Sequence, residues 1–382
     1  MEANPISRRH FAKVLGAGVA LTTLRPSASF LPLVQKRPVS LVGKGYGEGT
    51  LVRLSSNESP YGPSSVALKA MTDALGLAWR YPDEHADVLV ASLATLNGVP
   101  SEQIILGDGS GEILKVAAEA FTTAGKKLVV ANPTFEAISA HARTAQAEVV
   151  KVDLTKEYAH DLPGMLSASD DPGLVYICNP NNPTATITPR STVRTFMAKV
   201  SVKTVVLVDE AYHHYVDSSD YESVIPLVKQ YPNLIVARTF SKVYGMAGLR
   251  CGYAIAQPDL IKRMHAHQSW DSVNIMALVA ATASLTDVEH VEQGYRRNLE
   301  VKKYVYSELN KLGYKFIPSQ ANFMMIDVRR DVKTLIAALR ERKVEVGRVF
   351  PALPTFMRVT LGTQRQMESF FSAFREVMAV AG

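Results

Sequence analysis

The sequence predicts an α/β fold, with a large domain built on a mostly parallel sheet between helices and a smaller α+β domain beside it. Two observations point there. Short runs that are apolar throughout, rather than alternating, recur between Gln103 and Ala256 with helical patterns between several of them. Strands covered on both faces read this way, and parallel neighbours need such crossovers. A third observation concerns function: polar motifs rich in Asn, Gly, Ser and Asp follow these runs directly, and in open parallel sheets ligands collect beyond the carboxyl ends of the strands.

Taken in order, Leu51 to Pro63 is a loop rich in Ser, Asn, Pro and Gly, and a helix is expected over Ser64–Leu75. The expected strands are Gln103–Leu106, Lys127–Ala131, Glu148–Val152, Leu174–Cys178, Thr204–Val208, Leu234–Ala237 and Cys251–Ala256. Helices are expected between several of them, among them Gly111–Phe121 and Arg190–Lys199. A long helical region, Asp287–Leu312, leads to strand Phe323–Val328, helix Val332–Arg342, strand Arg358–Leu361 and helix Gln364–Val380. The domain reading is therefore an arm and part of the small domain over 30–75, the large domain over 76–285, and the rest of the small domain over 286–382.

The chain has 382 residues, 47% hydrophobic and 20% charged, the composition of a globular protein with a sizeable core. Its formal net charge of +6 does not imply nucleic acid. Residues 1–44 hold seven basic residues and one acid, which accounts for the whole excess, so no basic face is concentrated on the folded body. Within that segment Ser7-Arg-Arg-His-Phe-Ala-Lys13 resembles the twin-arginine export motif, with Ala12 where leucine is more usual. The apolar stretch Val14–Leu24 is too short for a membrane span, which needs ~20 residues. Ser27-Ala-Ser29 offers a small-x-small cleavage site, so a signal peptide is expected over 1–29 and a periplasmic destination with it; without a working leader the protein stays cytoplasmic. Cys178 and Cys251 lie inside apolar runs and read as core residues. None of the nine histidines has the i, i+4 spacing with a nearby acid that zinc hydrolysis uses, and no Gly-x-Ser-x-Gly elbow is present. No metal site is expected.

The chemistry centres on Arg238-Thr-Phe-Ser-Lys242 and Arg250. A lysine set among small hydroxyl residues and a glycine-rich turn suits Schiff-base chemistry, because a partly desolvated amine loses its proton readily. Thr239, Ser241 and Arg250 are the donors a phosphate needs. Amine and phosphate anchor together suggest pyridoxal phosphate. Ser110 and Gly111 open a helix after the run ending at Leu106, and free N–H groups at a helix start bind phosphate.

These motifs resemble the class I/II aminotransferases of fold type I from about Leu54 to Gly362. The histidinol-phosphate aminotransferase branch is the nearest likeness, through Asn57-Glu-Ser-Pro-Tyr61-Gly-Pro, Tyr81-Pro-Asp83, Val346-Gly-Arg348 and Met357-Arg358-Val-Thr-Leu-Gly362. The resemblance implies that Lys242 holds the cofactor covalently and moves the proton, that Asp209 pairs with the ring nitrogen, and that Tyr212 and Asn182 bond the phenolic oxygen. It implies Phe135 on the ring face, where tyrosine is commoner, and Tyr81 reaching the phosphate of a neighbouring subunit in a homodimer with composite sites. Arg358 would grip the substrate carboxylate, and Arg348, Tyr61 and Asn57 would line the side-chain end of the pocket. Ala185 stands where the family has glycine after Asn-Pro-Thr, which bears on the tightness of that turn.

The function expected is transfer of an amino group between an amino acid or histidinol-phosphate-like amine and a 2-oxo acid such as 2-oxoglutarate. A lyase or decarboxylase on the same scaffold is the alternative, against which Arg358 argues, since a clamped carboxylate is kept. A non-enzymatic regulator would carry an added DNA-binding domain, and the fifty residues before the first motif read as a leader instead.

Overall fold

In the computed structural model, which describes residues 51–380, the apolar runs pair into one seven-stranded sheet. The chain begins with Val52–Leu54 (β1), Ser65–Ala74 (α1), Asp83–Asn97 (α2), Ile104–Asp108 (β2), Gly109–Phe121 (α3), Leu128–Asn132 (β3), Ala137–Thr144 (α4) and Val149–Asp153 (β4). It continues through Leu162–Ser167 (α5), Leu174–Cys178 (β5), Arg190–Lys199 (α6), Val205–Asp209 (β6), Leu234–Thr239 (β7), Cys251–Ala256 (β8), Pro258–His265 (α7) and Ile275–Leu285 (α8). The remaining elements are Val288–Lys311 (α9), Lys315–Ile317 (β9), Phe323–Asp327 (β10), Val332–Glu341 (α10), Val344–Val346 (β11), Phe356–Thr360 (β12) and Gln364–Val380 (α11). The signal-peptide motif expected near the start lies outside the described residues.

The large sheet runs β2-β8-β7-β6-β5-β3-β4, with β8 antiparallel to both neighbours and the other pairs parallel. Because successive strand side chains point to opposite faces, the all-apolar strands feed two cores. Val175, Ile177, Val206 and Val208 face α2, α6 and α8, and Leu174, Tyr176 and Leu207 face α3, α4 and α7. Each fully buried Val or Leu here contributes ~1.5–3 kcal/mol, so a charge on either face of β5 or β6 would break the sheet.

Several strands extend past their apolar run by one or two residues. Asp108, Asn132, Asp153, Asp209 and Thr239 are each a last strand residue, still paired in the ladder while the side chain reaches the sheet's end. The motif residues thus stand on rigid backbone. The peptide bonds before Pro133, Pro180 and Pro183 are cis.

Beside this sheet, β9, β10 and β12 form an antiparallel sheet, and β1 pairs with β11 in parallel, Leu54 opposite Val346. Residues of α9, α10 and α11 close a third core with Leu54, Met324 and Val359. The last strand begins at Phe356 rather than Arg358, because its pairing with β10 starts at Asp327; Arg358 therefore sits mid-strand. After β1 the chain enters α1, which packs against α8 beside the large sheet. Among the described residues no helix is long and apolar enough to cross a membrane.

Candidate active site

A cavity of about 270 Å³ opens at the carboxyl ends of β5, β6 and β7. It is lined by twelve of the residues singled out from the sequence: Asn57, Ser110, Gly111, Phe135, Asn182, Asp209, Tyr212, Thr239, Ser241, Lys242, Arg250 and Arg358. Ser56, Cys178 and Ala211 complete the wall. Sequence reasoning assigned none of these three to the site, although each neighbours a motif residue.

One end is an anion cradle. Helix α3 starts directly from β2 with no side-chain cap from its N-cap residue Asp108, so its first N–H groups are free for a ligand. Arg250 hangs over this end, its Nη2 donating to the Asp108 carbonyl at 3.3 Å. The approach needs glycine: a Cβ at Gly109, whose φ is 71°, would lie 2.4 Å from Arg250 Nη2. A Cβ at Gly252 would lie 2.4 Å from the Ser110 nitrogen. Thr239 Oγ1 donates to Ser241 Oγ at 2.9 Å, which fixes the two hydroxyls beside the guanidinium.

The other end holds an amine, a carboxylate and a second guanidinium. Lys242 is half-buried and donates to the Asn57 carbonyl at 3.1 Å. Burial, reinforced by the charge of Arg358, lowers its pKa to about 8. Asp209 is buried, and desolvation pushes its carboxyl up to about 6 against the hydrogen bonds that favour the anion. Those donors are neutral: the Tyr176 hydroxyl at 2.9 Å from Oδ2 and the Ala211 N–H at 3.1 Å from Oδ1. Burial also holds the Tyr212 phenol protonated; its oxygen accepts from Asn57 Nδ2 at 3.1 Å, and its ring packs edge-on to Phe323. Asn57 itself adopts φ 54° and is pinned by its N–H to Thr360 Oγ1 at 2.9 Å.

Arg358 is buried, with Nη1 donating to Asn182 Oδ1 and Nη2 to the Ser55 carbonyl, both at 2.7 Å. Its Nε is buried without a partner beside Gly347, where an added Cβ would lie 3.2 Å from it. Arg238, at the head of the lysine motif, is not in the cavity: it forms a buried pair with Glu210 at 2.8 Å that anchors β7 to the residue after Asp209.

Three expected residues do not line this chain's cavity. Tyr81 is 83% exposed just before α2. The ring of Tyr61 packs against Arg297 of α9, 4.8 Å from its guanidinium carbon. Arg348 pairs instead with Glu136 at 2.7 Å and lies over Phe350 at 4.4 Å, in a neighbouring groove that it lines together with Arg358. The partner of Arg348 comes from a loop two hundred residues away, so no local pattern announces it. Ala185 takes φ 60°, a conformation that glycine adopts without cost and alanine does not.

Residues 49–374 match the aminotransferase class I and II family. The chain belongs to that family. It is 39% identical to histidinol-phosphate aminotransferase of Moorella thermoacetica over 92% of each chain. It is 35% identical to that of Bacillus subtilis over 91% of this chain and 97% of the relative. Its fold superposes on histidinol-phosphate aminotransferase from Sinorhizobium meliloti, solved in complex with pyridoxal 5'-phosphate, with TM-score 0.82 and 25% identity over 94% of this chain and 99% of that one. This aminotransferase therefore uses pyridoxal phosphate, and its cavity suits that cofactor. The uncapped helix end, two hydroxyls and Arg250 suit a phosphate, Lys242 supplies an amine of lowered basicity, and Asp209 is a buried carboxylate held only by neutral donors.

Proposed function

We propose that this aminotransferase passes the amino group of a phosphorylated or carboxylated amine, with histidinol phosphate the first donor to test, to a 2-oxo acid such as 2-oxoglutarate. One observation carries the reading. Arg358 and Arg348 approach the same ring, Phe350, at 5.2 and 4.4 Å, so one guanidinium lines the cavity and a second stands near it in the adjoining groove. A donor and an acceptor that differ in shape but share an anionic group could each be held there. Relatives bearing the histidinol-phosphate aminotransferase name support the donor.

Bound pyridoxal phosphate supplies an aldehyde for the amine and a ring that accepts the electron pair released at the substrate carbon. The protein's own contributions follow from position. Lys242, with a pKa of about 8, carries a neutral amine often enough to act as nucleophile and then as the base that takes and returns the proton. Asp209 would hold a proton at the ring nitrogen. Tyr212 and the amide nitrogen of Asn182, whose oxygen is taken by Arg358, would donate to the phenolic oxygen. Arg358 would orient whichever anionic group the substrate carries, the phosphate of the donor or the carboxylate of an amino or 2-oxo acid, and a carboxylate held there is kept rather than lost. Adding candidate donors to the loaded enzyme and following the absorbance change of the first half-reaction tests this. Histidinol phosphate should react faster than unphosphorylated histidinol; equal rates would remove the phosphate from the account.

The leader motif Ser7-Arg-Arg-His-Phe-Ala-Lys13 favours a second reading, a periplasmic enzyme for an ordinary amino acid. Cell fractionation and the same donor panel separate the two. A homodimer is part of the proposal: Leu75, Trp79 and Tyr81 are 63%, 73% and 83% exposed in one short stretch, an apolar patch that a second copy would cover while bringing Tyr81 to its neighbour's cradle. A monomer by light scattering would refute it.

A further inference from the structure

Tyr176 lies outside the cavity wall and is fully buried between the large sheet and α3. Strands β5 and β6 pair with Tyr176 opposite Leu207 and Cys178 opposite Asp209. Tyr176 is thus the diagonal neighbour of Asp209 on the same face, a separation that an aromatic side chain bridges. Its hydroxyl donates to Asp209 Oδ2 at 2.9 Å, while Oδ1 takes the Ala211 N–H. For packing alone, phenylalanine would fill this position without burying a hydroxyl, whose desolvation is unfavourable unless it is bonded. The phenol is held protonated by burial and by the Asp209 charge, so its proton is available for donation to Asp209.

We propose that Tyr176 is a positioning residue of the reaction: by donating to Asp209 it lowers the basicity of that carboxylate, so that the proton between Asp209 and the cofactor's ring nitrogen resides on the nitrogen. The proposal rests on the reading of Asp209 as the ring nitrogen's partner. A hydrogen bond to the charged form favours that form, and here it opposes the desolvation that raises the Asp209 pKa. Without the phenol the proton moves toward the carboxylate, and the ring becomes a weaker electron acceptor. No atom of Tyr176 needs to touch substrate.

The test is Tyr176→Phe in the full-length holoenzyme, with the ring nitrogen of bound ¹⁵N-labelled pyridoxal phosphate followed by NMR. The ¹⁵N signal should move toward that of an unprotonated ring, the rate of the first half-reaction should fall about tenfold or more, and donor affinity should change less than about twofold. In an Asp209→Asn background the same substitution should do nearly nothing. Difluorotyrosine at position 176 keeps the shape and donates more strongly, so it should restore the protonated-ring signal even if the phenylalanine variant folds poorly. An unchanged ¹⁵N signal in Tyr176→Phe, or an equal rate loss in the Asp209→Asn background, overturns the proposal. A wild-type enzyme whose bound ring shows no protonated signal overturns both it and the role given to Asp209.

Discussion

At the floor of the cavity Asn57, Asn182, Asp209, Tyr212 and Arg358 are all buried, and hydrogen bonds of 2.7 to 3.1 Å tie them to one another or to the strands behind them. At the rim Arg348 and Glu136 keep 52% and 62% of their side chains in solvent. Buried groups with few alternatives are positioned to a fraction of an ångström, which proton transfer requires. Exposed ion pairs are screened and worth ~0–1 kcal/mol, so a ligand can displace them. The floor therefore sets which reaction occurs, and the rim sets which molecule undergoes it.

The largest effect should come from the floor. Lys242→Ala should leave pyridoxal phosphate bound without a covalent link and slow the first half-reaction by more than about a thousandfold, measured in a single turnover. A loss of less than about tenfold would move the proton-transfer role to another group. Arg358→Ala should follow, because it removes a buried cation and strands Asn182 Oδ1 and the Ser55 carbonyl; kcat/KM should fall by about a hundredfold for carboxylate-bearing substrates.

A pH series sharpens the floor further. The Lys242 pKa is depressed from 10.5 to about 8, so the reactive neutral amine is scarce below that value. The rate at which the apoenzyme captures pyridoxal phosphate should rise roughly tenfold per pH unit from 6 toward 8 and level above it, as the neutral fraction does. A rise continuing to pH 10 would place the amine in ordinary solvent. The rim should answer mildly: Arg348→Ala should raise the KM of a phosphorylated donor about tenfold. Glu136→Gln, which frees Arg348, should lower it by at most about fivefold with stability nearly unchanged. If either rim variant lowered kcat as strongly as Arg358→Ala, the division between floor and rim would fail.

Most of the large sheet was legible because apolar runs such as Leu174–Cys178 and Cys251–Ala256 carry their signal locally, and both match the observed strands. The lysine motif, Asp209 and Asn182 were legible because they sit where such runs end. Strands β1 and β11 were not: each has three residues, and their pairing joins Val52 to Val344, a contact with no periodicity to read. The Arg348–Glu136 pair is equally non-local. Tyr61 illustrates a different limit, since its motif is present while its ring packs on Arg297. Helix α2, with Asp83 and Glu84 in its first turn and Gly98 at φ 62° after its end, carries its start and stop signals in the sequence itself.

The most direct test of the central claim is borohydride reduction of the enzyme incubated with pyridoxal phosphate, followed by peptide mass mapping. A single cofactor adduct on the peptide containing Lys242, lost when a reacting amino donor is added first, is the predicted result. No adduct, or one on an exposed lysine such as Lys69, would contradict it.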